Sequence, residues 1–99
     1  MAGFVQIVEW TTSRIDEVKA LSDKYREEQD PDTGPARVTV LADRDRPGTY
    51  LTIAEFPSYD AAMANSGRAQ TAAFAAEMGK LCDGPPSFRN TDVEASYGG

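Results

Sequence analysis

The sequence predicts an α+β domain, a four-stranded antiparallel sheet with two helices on one face. Three observations carry that prediction. Short alternating runs rich in β-branched and aromatic residues recur four times. Two stretches of helical periodicity follow the first and third runs. Clusters of Pro, Gly and Asp punctuate the chain between them.

Phe4 to Thr11 reads as the first strand, with Phe4, Gln6, Val8 and Trp10 on one face and Val5, Ile7 and Glu9 on the other. Thr12 or Ser13 is placed to cap a helix, and from Ser13 an Asp at position 16 makes an approximate capping box. That helix runs to about Gln29, with Ile15, Val18, Leu21, Ser22 and Tyr25 as its buried stripe. The run Asp30-Pro31-Asp32-Thr33-Gly34-Pro35 stops it. Ala36 to Ala42 is the second strand, with Val38, Val40 and Ala42 opposite Arg37, Thr39 and Leu41. A polar hairpin loop, Asp43 to Gly48, leads to a third strand over Thr49 to Phe56. Ser58 then caps a second helix, which weakens at Asn65-Ser66-Gly67 and resumes from Arg68 to Leu81. Asp83-Gly84-Pro85-Pro86 ends it, Ser87 to Ala95 is a fourth strand, and Tyr97 to Gly99 is expected to fray.

The order β-α-β-β-α-β is the ferredoxin-like arrangement. Residues 1–99 read as one domain with an ordered core over about 4–95. Two helices cover only one face of such a sheet, yet the first and third strands are apolar on both. A second copy of the chain, sheet against sheet, is the simplest cover for the other face. The expected partner is therefore the chain itself, as a homodimer.

Composition excludes much chemistry. The chain of 99 residues has 10 Lys+Arg, 16 Asp+Glu and no His, for a net charge of −6. Without imidazole there is no Ser-His-Asp triad, no His-ligated zinc and no His-ligated haem. Proton transfer falls to carboxylate, Tyr, Lys, backbone or water. One cysteine builds neither a zinc site nor a disulfide, and Cys82, beside Asp83 at a helix C-terminus, is a poor thiolate. Neither GxxxxGK[ST] nor GxGxxG occurs. The acidic balance argues against nucleic acid, and no apolar run reaches the ~18 residues of a membrane span. The expected setting is cytoplasmic, with no metal and no cofactor. Asp30-x-Asp32 resembles the start of a calcium loop, but Gly34 and Pro35 occupy the wrong positions.

The segment Leu51-Thr52-Ile53-Ala54-Glu55-Phe56, followed by Pro57-Ser58-Tyr59-Asp60-Ala61-Ala62-Met63-Ala64-Asn65, resembles the dimeric α/β-barrel superfamily, which includes antibiotic-biosynthesis-type monooxygenases. The similarity runs from Phe4 to about Ala95. It implies a ferredoxin-like protomer that dimerises into an eight-stranded barrel, with a ligand pocket between each sheet and its helices. Asn65 stands where the family brings a His or Asn. Haem-degrading relatives use an axial His, which this chain lacks.

Candidate site residues follow. Asn65 either donates a hydrogen bond to a phenolic or quinone oxygen or serves as a helix cap. Arg68 either offsets negative charge near the substrate or begins a helix in solvent. Trp10 stacks on an aromatic ligand, offers it an N–H, or belongs to the core or interface. Tyr50 is either a proton relay or core. Gln6 and Arg37 either enter a pocket or pair across the dimer. Two function classes stay open. One is a small-molecule-binding or structural dimeric barrel. The other is a cofactor-independent monooxygenase acting on an aromatic polyketide-like substrate, which would use Asn65 and Arg68. A small aromatic ligand is the expected partner besides the second copy.

Overall fold

A computed structural model describes residues 3–28 and 35–98. Seven elements follow in order: β1 (Phe4–Thr11), α1 (Ile15–Glu28), β2 (Arg37–Ala42), β3 (Thr49–Phe56), α2 (Tyr59–Ser66), α3 (Ala69–Leu81) and β4 (Ser87–Asp92). The strands form one antiparallel sheet in the order β2-β3-β1-β4. This is the predicted ferredoxin-like order, with three helices in place of two. The second predicted helix is broken because Arg68 is extended (φ −79°, ψ 144°). Gly67 closes α2, its N–H reaching the carbonyls of Met63 and Asn65. β4 ends at Asp92 rather than Ala95, and residues 93–98 carry no regular structure. The predicted helix end at Gln29, the turn cluster and the Asp30-x-Asp32 reading lie outside the described residues, apart from Pro35.

Register explains why the two faces separate. Phe4 faces Phe56, Gln6 faces Ala54, Val8 faces Thr52 and Trp10 faces Tyr50 across β1 and β3. Val38 and Val40 extend that inner row on β2, opposite Ala54 and Thr52, and Phe88 extends it on β4 beside Val8. A period of two sends all of these to one side. Phe4, Ala54, Phe56 and Ala62 are buried there as a core under α2, with Val38 and Met63 packed on it. Phe4 meets Tyr59 edge-on at 5.5 Å.

The far end of the sheet is closed by polar ties. Thr12 is buried and donates its hydroxyl to the Leu81 carbonyl at 2.6 Å, while accepting the Arg14 N–H at 2.9 Å. The Asp83 amide reaches the Thr11 carbonyl at 2.8 Å. The end of β1 is thereby pinned to the end of α3. The expected box between Ser13 and Asp16 does not form. Arg14 instead pairs with Glu17 across the first turn, and Thr12 takes the orphan amide. Ser58 caps α2 as expected, accepting the Ala61 amide at 3.1 Å. At the β2–β3 hairpin, Gly48 takes φ +86°, a conformation that L side chains rarely adopt. Arg46 braces this loop, reaching Asp43 at 3.0 Å and Glu9 at 2.8 Å.

α1 and α3 pack on each other above the sheet. Tyr25 stacks on Phe74 at 4.5 Å, and its hydroxyl bonds that of Thr71 at 2.8 Å.

Candidate functional site

Between the helices and the inner face of the sheet lies a cavity of about 490 Å3. That volume falls within the range of small-molecule pockets, roughly 300–1,000 Å3. Its origin is compositional. α3 reads AQTAAFAAEMGKL and buries none of its residues fully, so only Phe74 and Met78 reach far inward. The sheet beneath offers Ala54 and Thr52 at its centre. Small side chains on both layers leave the space between them unfilled.

The sheet floor consists of Gln6, Val8 and Trp10 from β1, Val38 and Val40 from β2, Thr52, Ala54 and Phe56 from β3, and Phe88 from β4. The roof includes Ile15, Val18, Ser22 and Tyr25 from α1, Asn65 from α2, and Thr71, Phe74, Ala75 and Met78 from α3. Lys19, Asp23 and Arg26 line it while staying exposed, so charge is confined to the rim. The interior is apolar with a few polar groups, the usual composition of a site that selects by a small number of hydrogen bonds.

Most of those polar groups are already paired. The Trp10 indole N–H donates to the Thr52 hydroxyl at 2.8 Å. Gln6 donates through Nε2 to Asn90 Oδ1 at 3.2 Å. Tyr25 and Thr71 satisfy each other. Asn65 differs. Its residue is only 7 % exposed, and its Oδ1 has no hydrogen-bond partner among the described residues. A buried carbonyl oxygen left unpaired costs about 1–3 kcal/mol. Nothing in the helix requires that cost, because Asn65 lies inside α2 and no described residue other than glycine has positive φ. The helix-cap alternative for the Asn65 side chain is therefore not what the structure shows.

Three of the six candidate residues, Asn65, Trp10 and Gln6, line the cavity. The other three do not. Tyr50 stacks on the Trp10 ring at 4.9 Å and backs the wall without forming it. Arg68 stands at the start of α3, where Nη2 donates to Gln70 Oε1 at 2.6 Å. Arg37 is exposed on the outer face, in register with Glu55. Its alternation with Val38 already set it on that side. Cys82 does line the cavity, and burial, then Asp83, push its thiol pKa up, so it stays a neutral thiol near pH 7. Thr52 was missed as a site residue. Its only signal was a hydroxyl on the inner row of the third strand, and only the strand register brings it beside Trp10.

The outer face carries Val5, Ile7, Leu51 and Ile53, all half-buried, and Leu41, 44 % exposed. Ile7 lies opposite Ile53, and Leu41 opposite Leu51, so these side chains form one stripe. No described helix is long and apolar enough to cross a membrane.

No family model matches the chain, and no curated protein matches it by sequence. Solved structures do match in shape. A candidate antibiotic biosynthesis monooxygenase from Nitrosomonas europaea superposes with a TM-score of 0.77 at 16% identity, covering 99% of this chain and 98% of its own. SnoaB, a cofactor-independent oxygenase from Streptomyces nogalater, gives 0.74 at 17% identity over 97% of each chain. A conserved protein from Methanosarcina mazei Go1 gives 0.80 at 10% identity over 95% of each. The chain therefore has the ferredoxin-like fold shared by antibiotic-biosynthesis-monooxygenase-like proteins.

Proposed function

We propose that the chain is a small-molecule-binding protein whose cavity takes a largely apolar aromatic ligand. The observation that carries this reading is a largely apolar cavity of about 490 Å3 lined in part by Asn65, whose buried Oδ1 has no hydrogen-bond partner among the described residues. A ligand hydroxyl or N–H would satisfy that oxygen and offset the cost of burying it. Asn65 thus acts as acceptor, where its sequence position alone suggested a donor. A ligand ring packs against Phe74 and the edge of the floor beside Trp10, and the apolar walls remove water from the bound molecule.

The same proposal assigns the outer face to a second copy of the chain, giving an eight-stranded barrel. The stripe from Leu41 to Ile7 supports it, as do Arg37, in register with Glu55, and Arg89, in register with Ile7, charges on that face able to complement a second copy.

A second reading is cofactor-independent oxygenation, in which the bound substrate's own anion reduces dioxygen. It draws on the likeness to SnoaB, described as a cofactor-independent oxygenase. In that reading Asn65 orients the substrate oxygen and the apolar walls exclude water.

Calorimetric titration with 2-naphthol and its methyl ether tests the binding reading. The naphthol is expected to bind about three- to tenfold tighter, a difference that Asn65→Leu removes. Failure of both to bind overturns the reading. Oxygen uptake with a hydroxynaphthacene-type substrate, lost in Asn65→Leu, would add the second reading to the first.

A further inference from the structure

The Thr52 hydroxyl makes one hydrogen bond and has room for another. Its Oγ1 accepts the Trp10 indole N–H at 2.8 Å. The indole is 2 % exposed and stacked on Tyr50, so neither ring is free to turn. A hydroxyl that accepts still has its own hydrogen to give. No described residue accepts that hydrogen, and Thr52 lines the cavity. An O–H that accepts an N–H is also a better donor, because the two bonds polarise each other. Asn65, whose buried Oδ1 has no partner among the described residues, lines the same cavity.

We infer that Thr52 is a second ligand contact, a hydroxyl donor held in place by Trp10, opposite the Asn65 acceptor. The inference rests on the cavity being a ligand site. It adds that the ligand carries a hydrogen-bond donor and an acceptor at separate positions on an apolar frame. The cavity then discriminates by polarity as well as shape. A molecule lacking either group leaves one buried protein group unpaired.

Trp10 is the one tryptophan in the chain, so its fluorescence reads occupancy without any need for activity. Three matched probes separate the contacts: 6-hydroxy-1-tetralone, 1-tetralone and 5,6,7,8-tetrahydro-2-naphthol. The hydroxytetralone is expected to bind tightest, with loss of either polar group costing about three- to tenfold. Thr52→Val should abolish the advantage given by the carbonyl and leave that given by the hydroxyl. Its methyl takes the place of Oγ1 and keeps the indole N–H covered. Thr52→Ser should restore the carbonyl advantage, and Asn65→Leu should show the reverse pattern. Retention of the carbonyl advantage in Thr52→Val overturns the inference while the binding proposal stands. Failure of all three probes to bind the natural sequence overturns both.

Discussion

The inner face of the sheet buries Phe4, Trp10, Ala54 and Phe56, yet lines a cavity, whereas the outer face carries an apolar stripe that no helix among the described residues covers. Both faces come from the same strands. They differ in what the rest of the sequence supplies. On the inner side α2 brings Ala62 and Met63 down onto the Phe4–Phe56 pair, and that end is filled. Farther along, the alanines of α3 and the small residues of β3 do not meet, and the space stays open. Apolar alternation thus means packing in one place, a cavity wall in the next and, in the proposed dimer, an interface behind both. The alternation alone does not distinguish them. The length and side-chain volume of the covering element do.

The largest expected effect is on the outer face. Ile53→Asp places a charge in the middle of the stripe, and the two-fold copy adds a second. Size-exclusion chromatography should then show one chain where the natural sequence elutes as two, because an unpaired buried charge costs several kcal/mol. An unchanged elution volume would break the assignment of that face. Next comes the filled end of the inner face. Phe56→Ala is expected to lose about 3–5 kcal/mol in denaturant unfolding, the usual cost of truncating a buried Phe. Leu51→Ala, on the outer face of the same strand, should cost clearly less at dilutions where the chains are single.

The open end should respond in the opposite direction. Asn65→Leu removes an unpaired buried oxygen, so it is expected to raise stability by about 1 kcal/mol while abolishing the preference for a hydroxylated ligand. Gaining stability while losing recognition is the mark of a group retained for binding. A smaller gain is expected from Gly79→Ala. A Cβ there meets nothing within 4 Å, and alanine is favoured over glycine in a helix by up to about 1 kcal/mol. The smallest effect is chemical. Cys82 alkylation should rise with pH later than for a free thiol, because burial and Asp83 hold its pKa up, and a bound ligand should slow it further.

Much of this division was legible from residues. Alternation over Phe4 to Thr11 and over Thr49 to Phe56 assigned the two faces, and Ser58 marked the start of α2. Asn65 was singled out because it stands where the family that the sequence resembles brings a His or Asn. Other features needed the third dimension. The pairing of Trp10 with Thr52 depends on strand register, which 42 residues of separation hide. The cavity depends on two layers failing to fill a gap, a property of no single segment. The expected Ser13 box is out of place because the helix starts one residue later, with the Arg14 carbonyl accepting the first helical amides, from Glu17 and Val18. Tyr50 and Trp10 are both aromatic, and only the shape of the cavity separates the wall from its backing.

A native mass spectrum taken with added 6-hydroxy-1-tetralone tests both faces at once. The account predicts a species of two chains, each of 10.7 kDa, carrying up to two bound molecules. A single-chain mass with no adduct would contradict it.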